Sequence, residues 1–371
     1  MKFITSFLFL MISMHAMAQN KTYMLVGTYT SGKSVGIYVY EFNTNTGAIR
    51  LVDSSATSNP SYLAVSPDQR IVYAVNEDAT PGVGGKVSAF QFNKKNGHLT
   101  LVNQVRSMGD HPCYVAVDKT GKWVAVGNYS SGSLAVFPST RNGSLGSPVS
   151  TVHHSGSGPN KDRQEKAHVH STVFTPDNKY LVVSDLGTDK VTLYPFSQSR
   201  GTLDSARKFV IDMPGGSGPR HFIFHPNGKW GYLVQELSGN VTLFDYAKGK
   251  LKERQTISSL PAGFNKSFTS ADIHISSDGQ YLYTSTRDKA NTIAIFKINA
   301  KTGQLRLISQ QETLGNTPRN FNLDPSGNFL LAANQNSDNI VIFRRNPKTG
   351  LLRDTGHRVQ VGNPVCIKWV Q

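Results

Sequence analysis

A pattern that recurs seven times constrains this chain more than any other feature. A Pro or small residue opens an alternating apolar stretch, a Pro/Asp/Asn/Gly turn follows, and a second apolar stretch ends on a polar residue. Three copies begin as Asn59-Pro-Ser-Tyr-Leu-Ala-Val-Ser-Pro-Asp68, His111-Pro-Cys-Tyr-Val-Ala-Val-Asp-Lys-Thr120 and His168-Val-His-Ser-Thr-Val-Phe-Thr-Pro-Asp177. Three more begin as Gly218-Pro-Arg-His-Phe-Ile-Phe-His-Pro-Asn227, Thr269-Ser-Ala-Asp-Ile-His-Ile-Ser-Ser-Asp278 and Thr317-Pro-Arg-Asn-Phe-Asn-Leu-Asp-Pro-Ser326. A truncated copy, Asn363-Pro-Val-Cys-Ile-Lys-Trp-Val-Gln371, closes the chain. A second apolar alternation follows each, clearest at Gly36–Asn43, Lys86–Asn93, Thr292–Asn299 and Asn339–Phe343 and weaker from Ser133, Lys190 and Asn240. The clear copies lead into turns such as Thr46-Gly47, Asn96-Gly97, Thr302-Gly303 and Thr349-Gly350.

Period-2 alternation bounded by Gly/Asn/Asp turns is the signature of strands and hairpins, and nothing after residue 18 shows a sustained helical period. Each unit therefore reads as four short antiparallel strands, A to D. Four strands at a period of about 50 residues make a propeller blade. The fold class expected is all-β, a single seven-bladed β-propeller over 19–371. Lys21-Thr-Tyr-Met-Leu-Val-Gly27 looks like a strand B without its A, and the last residues supply that A. Joining the termini in one blade closes the ring and removes two open sheet edges.

Residues 1–18 stand apart: Lys2 is a positive n-region, Phe3–Met14 a mostly apolar run, and Ala16-Met17-Ala18 a cleavage site. They are read as a signal peptide, and the protein as exported, periplasmic or secreted. The run is shorter than the ~20 residues of a membrane span, so no stable membrane insertion is expected. Cys113 and Cys366 are the only cysteines. They lie in blades separated by another, which makes them buried thiols rather than a disulfide. No CxxC pair or Cys/His cluster argues for a metal.

In a propeller, strand A lines the central channel, and the starts of strands A and the ends of strands B meet at one mouth. The strand A column reads Ser61, Cys113, His170, Arg220, Ala271, Arg319 and Val365, with His111 and His168 two residues earlier in their copies. The strand B ends read Asn76, Asn128, Asp185, Gln235, Thr286 and Asn334, followed by Glu77, Tyr129, Leu186, Glu236, Arg287 and Gln335. Turn chemistry alone favours Asn and Asp at strand ends, so that column has a structural explanation as good as a functional one. Arg220, Arg287 and Arg319 have none: at one mouth they would repel one another unless paired or facing an anion. His168 and His170 can be hydrogen-bonded channel liners or functional groups.

The loop Ser155-Gly-Ser-Gly-Pro-Asn-Lys-Asp-Arg-Gln-Glu165 precedes a strand rather than a helix and is not a nucleotide-phosphate loop. Its Arg163, Gln164 and Glu165 are placed to reach over the mouth. No GxSxG elbow occurs. The net charge is +15, yet no Lys/Arg run exceeds a pair. Nucleic-acid binding normally shows a clustered basic face, so the charge fits better with steering a small anion.

The segments Gly27-Thr-Tyr-Thr30, Asn59-Pro-Ser-Tyr62, His111-Pro-Cys-Tyr114, Gly127-Asn-Tyr-Ser130, Arg163-Gln-Glu165 with His168-Val-His170, Gly218-Pro-Arg-His-Phe222, Gln235-Glu-Leu237, Ile273-His-Ile-Ser276 and Thr317-Pro-Arg-Asn320 resemble the propeller lactonase family. That family includes seven-bladed 6-phosphogluconolactonases and carboxymuconate cyclases, and the resemblance covers essentially the whole chain after residue 18. It implies hydrolysis of 6-phosphoglucono-1,5-lactone to 6-phosphogluconate, or interconversion of a muconate with its lactone, without a cofactor. The cyclase branch of that family uses a His, two Arg and a Glu around the channel, and by motif these resemble His168 or His170, Arg220, Glu236 and Arg287, with Arg319 competing for the last role. His111, Asn128, Tyr129, Arg163, Gln164, Glu165, Asp185, His221, Arg319 and Asn334 are the expected substrate-binding residues.

Lactone opening needs a base to activate water, a cation or donor for the oxyanion, and a site for any charged substituent. Glu236 or a neutral His168/His170 can be the base, Arg220 can hold the oxyanion, and Arg287 with Arg319 can bind phosphate or carboxylate. The partner expected is a small anionic sugar lactone, and the chain is expected to act as a monomer or weak dimer. Export sits poorly with a phosphorylated sugar, so another aldonolactone or uronolactone is the alternative substrate. A non-catalytic ring that binds glycan or protein is the alternative class, and it would be signalled by Arg220 and Glu236 closed on each other.

Overall fold

Six of the A-to-B hairpins turn on four residues whose last has a left-handed backbone: Gln69, Gly121, Asn178, Gly228, Gly279 and Gly327, with φ between 58° and 72°. Gly and Asn reach this conformation at little steric cost, which explains the Pro/Asp/Asn/Gly signal at this point of each repeat. The C-to-D turns use Asn differently. The Asn43, Asn93, Asn299 and Asn346 side chains accept hydrogen bonds from backbone N–H groups two residues on.

The computed structural model describes residues 21–371, so the signal-peptide reading of 1–18 lies outside the described residues. These residues form seven four-stranded antiparallel sheets. Six take their strands A to D consecutively from the chain; the seventh pairs the C-terminal Pro364–Val370 with Thr22–Thr28. Each strand A touches the strand A of the next sheet all the way round, so the ring is closed. A single 3₁₀ turn at Gln335–Ser337 is the only helix among the described residues, and none is long and apolar enough to cross a membrane.

Strands B and C are buried on both faces because each sheet packs against two neighbours. Tyr283, Ile293 and Ile295 of one blade, for instance, meet Phe321, Leu330 and Val341 of the next. Where the closing blade meets the blade after it, the backbones approach closely. A Cβ on Gly27 would lie 2.2 Å from the Pro60 carbonyl oxygen.

Strand A has one departure from regular pairing, and it recurs at the same place. Register shifts fall between Pro112 and Tyr114, Val169 and Ser171, Pro219 and His221, Ser270 and Ile273, and Pro318 and Asn320. The closing blade shifts at the equivalent point, Gly27/Thr28 opposite Cys366 and Pro364. The skipped residues include Cys113, His170, Arg220, Ala271, Arg319 and Val365, which are six of the seven members of the strand A column of the repeat. A bulge re-aims a side chain that regular alternation would place elsewhere.

Deleting Pro364–Gln371 removes Val365, Cys366, Ile367 and Val370, all essentially buried, and leaves Thr22–Thr28 as an open edge. At about 1.5–3 kcal/mol per buried aliphatic side chain, the loss approaches the whole stability of a typical domain, about 5–15 kcal/mol. The truncated protein is expected to show no cooperative thermal transition by circular dichroism; an unchanged Tm would show that the ring does not depend on this closure.

Candidate active site

The bulged residues and strand B ends meet at one mouth of the channel around a single carboxylate. Glu236 follows the strand Trp230–Gln235 and is 2% exposed. Its Oε2 accepts from Arg220 Nε at 2.7 Å and lies 3.1 Å from Arg287 Nη2, while Oε1 takes Arg163 Nη2 at 2.5 Å. Arg220, fully buried, also donates through Nη1 to the Ala271 carbonyl and to His221 Nε2 at 3.1 Å. Burial alone would raise the Glu236 pKa, but the guanidinium groups of Arg287, Arg220 and Arg163 hold it well below the usual carboxylate range. Burial pushes Arg287 down to about 10, against the pull of Glu236. Arg220 and Glu236 are therefore closed on each other, and both Glu236 oxygens are occupied by guanidinium donors, which leaves neither directed at a substrate or water.

His170 is different. Its Nε2 is 4.0 Å from Glu236 Oε2, and its Nδ1 has only the weak donor Cys113 Sγ at 3.9 Å. Burial and the nearby Arg220 hold its pKa well below that of a free imidazole, so it is neutral with a lone pair to offer. His168 has both nitrogens engaged, Nδ1 with the Tyr129 carbonyl at 3.1 Å and Nε2 with Glu165 at 3.1 Å, and its ring stacks on Tyr129.

Arg319 reaches the same mouth from Pro318–Leu323, in the blade next to that of Arg287. Its guanidinium lies 5.4 Å from the centre of the Tyr29 ring, and among the described residues it has no carboxylate within ion-pair distance. Below it Tyr29 Oη donates to Glu77 Oε2 at 2.9 Å, and Ser61 Oγ donates to the same oxygen.

The structure thus brings His168, His170, Arg220, Glu236, Arg287, Arg319, Arg163, Glu165 and Tyr129 together. Six expected residues stand outside the cluster. Gln164 does not reach over the mouth: fully buried, it donates to the Leu186 carbonyl and anchors its loop. Asn128 donates to the Ser107 carbonyl and Ser133 Oγ, and Asn334 to the Thr313 carbonyl and Asn339 Oδ1. Asp185 accepts from His154 and from the backbone of His168 and Gly187. These three are turn and strand-end residues tying strand B to its neighbours. His221 faces away from the mouth, its Nδ1 on Asp272 Oδ1 at 2.8 Å. His111 sits at the rim with Ser130.

Tyr29, Ser61, Glu77 and Asp272 were not among the expected site residues. Glu77 and Ser61 occupy the same two repeat positions as Glu236 and Arg220, so the columns already contained them. Tyr29 is the missing seventh member of the column of Glu236, displaced to the N-terminal end of the chain because the closing blade is split. Among the described residues no group of three or more His, Cys, Asp or Glu side chains is arranged to hold a metal ion.

A seven-bladed ring whose mouth gathers arginines, a neutral histidine and a buried glutamate defines a propeller with a polar, cation-rich site at one end of its channel. The family model "Lactonase, 7-bladed beta-propeller" matches residues 23–369, and the chain belongs to that family. It is 38% identical to a 6-phosphogluconolactonase of Bacillus subtilis (strain 168), over 93% of this chain and 97% of that one. A 6-phosphogluconolactonase of Formosa agariphila is 40% identical over 85% of this chain and 90% of its own. Among solved structures, a periplasmic gluconolactonase of Pseudomonas aeruginosa superposes with a TM-score of 0.89 at 37% identity, covering 95% of this chain and 99% of that chain.

The buried neutral histidines carry a stability signature. His221 is held down to about 4 by burial and by Arg220, and His170 is also depressed. In the unfolded chain both take a proton near pH 6.5. Since the unfolded state binds more protons below that value, stability falls as pH drops from about 6.5 towards 4. Glu236 and Asp272, whose folded pKa values are depressed, stabilise above about pH 4.5 and add to the loss only below it. Between pH 6.5 and 5 the Tm of the protein is expected to fall, and less steeply in His221→Asn; equal slopes would show that His221 is not buried neutral.

Proposed function

We propose that this protein hydrolyses a six-membered aldonolactone, with His170 as general base. The observation that carries the assignment is that His170 alone in the cluster combines burial, neutrality and ring nitrogens without a strong partner. A water held by His170 Nε2 beside Glu236 is deprotonated as it attacks the lactone carbonyl. The oxyanion develops next to the arginine cluster, whose geometry the Glu236 carboxylate sets in advance. The proton on His170 then returns to the ring oxygen as the C–O bond breaks, giving the open-chain acid and a neutral imidazole. Glu236 acts as the anchor of Arg220, Arg287 and Arg163 rather than as the base.

Arg319 is the cation left for a charged substituent. It makes 6-phosphoglucono-1,5-lactone the leading substrate, in line with the names of the B. subtilis and F. agariphila relatives. A second reading, unphosphorylated glucono-1,5-lactone outside the cytoplasm, is favoured by the leader-like residues 1–18 and by the periplasmic gluconolactonase relative. In either case the working unit is a monomer or weak dimer that binds no nucleic acid.

Acid release at constant pH, with both lactones offered to the purified protein, decides between these readings. His170→Gln is expected to lower kcat about 10²–10⁴-fold with little change in KM. Arg319→Met is expected to raise KM about tenfold or more for the phosphorylated lactone, and by much less for the unphosphorylated one. Undiminished activity in His170→Gln, or equal effects of Arg319→Met on both substrates, would remove these roles. Because the base is neutral well below the usual imidazole range, kcat/KM is expected to stay level as pH falls through 6.5, where an exposed histidine base would lose activity. N-terminal sequencing of protein from the culture or periplasm is expected to begin at Gln19; a start at Met1 would refute cleavage.

A further inference from the structure

The channel has a second chamber. Past His221, towards the A-to-B turns, a cavity of about 540 Å³ is bounded by Tyr62, Tyr114, Phe174, Phe224, His274 and Lys368. Its size falls within the ~300–1,000 Å³ range of small-molecule sites, and neither Arg220, Glu236, Arg287 nor Arg319 lines it. His221 and Asp272 form its boundary with the catalytic mouth.

The walls are mainly apolar and aromatic. Tyr62 and Tyr114 stack with ring centres 4.2 Å apart, and Val173, Phe174, Ile223 and Phe224 are only partly buried although they belong to inner strands. Few polar groups are free. Asp272 is saturated by His221 Nδ1, His274 Nε2, Asn320 Nδ2 and the Ile273 amide. Because that carboxylate only accepts, His274 must present Nε2–H to it, and its Nδ1 has no partner. Lys368 places its ammonium 4.4 Å above the Tyr62 ring and 3.3 Å from Tyr62 Oη, with no carboxylate within ion-pair distance among the described residues. Lys119, the other lysine of the lining, is held by the Pro176 carbonyl at 3.0 Å, so Lys368 is the cation set against the aromatic wall, and it suits one negative charge on a flat apolar body. A sugar would leave hydroxyls unpaired against these walls, and a phosphate dianion would bring a second charge to the one ammonium that lies over the rings.

We propose that this chamber is a binding site for a small aromatic carboxylate, with the carboxylate on Lys368 and the ring against the Tyr62/Tyr114 wall. A ring hydroxyl would donate to His274 Nδ1. The site is separate from the lactone site and does not depend on the reading of the latter.

Calorimetric titration of the purified protein with 4-hydroxybenzoate tests this. Saturable binding at one site per chain is expected, at least about tenfold weaker for 4-hydroxybenzyl alcohol and in Lys368→Met, and changed less than about twofold in Arg319→Met. Lactonase activity is expected to be unaltered in Lys368→Met. Absence of saturation at millimolar ligand, equal affinity in Lys368→Met, or loss of binding in Arg319→Met, which would place the ligand at the catalytic mouth, overturns the proposal. Val173→Phe fills the chamber without touching the charge and is expected to abolish binding. It serves as the independent variant if Lys368→Met lowers Tm, and retained affinity in it likewise overturns the site.

Discussion

One buried carboxylate organises the catalytic mouth. Arg163, Arg220 and Arg287 converge on Glu236, and without it three guanidinium groups would face each other in a desolvated space. Breaking such a buried arrangement by removing one partner costs about 3–5 kcal/mol, since it leaves uncompensated charge. The same arrangement divides the chemistry. Glu236 is spent on holding cations, Arg220 helps keep His170 neutral, and Arg319 is left without a carboxylate partner. Closure of Arg220 on Glu236 is thus compatible with catalysis, because the base and the substrate cation are other residues.

The ring puts these groups together by repeating one backbone device. In a regular strand a side chain alternates between faces, and neighbours along the chain cannot share one. The bulge at the start of strand A leaves Arg220 out of the pairing, free to turn into the mouth, and pairing resumes at His221, which contacts Asp272. Six blades contribute one such position, and the side chain varies from Val365 and Ala271 to His170 and Arg319. The blade is constant and the chemistry is set by what stands at the bulge.

The ring itself was legible because its cause is local. Alternation, Pro-led strand starts and Gly or Asn turns recur in each unit, and only closure lets seven such sheets cover one another's apolar faces. The arginines and Glu236 were legible too, since long charged side chains at channel positions have no turn-forming explanation. Asn128, Asp185 and Asn334 were not separable from them by residue type, because a strand-end amide or carboxylate looks the same whether it binds backbone or substrate. Cys113 was expected as a core thiol; it is buried, yet it stands at a bulge beside His170.

By itself the sequence determined the blade, the number of blades and the set of residues that can reach the mouth, because these follow from periodicity and turn chemistry along the chain. Only the tertiary structure decided what each residue does there. Whether a histidine is a free base like His170 or a fully engaged one like His168, and whether an arginine is neutralised like Arg287 or open like Arg319, depends on partners from other blades. Charge, burial and hydrogen bonding are properties of the assembled neighbourhood. Hydrophobic spacing places a side chain at the channel, and the groups it meets there set its chemistry.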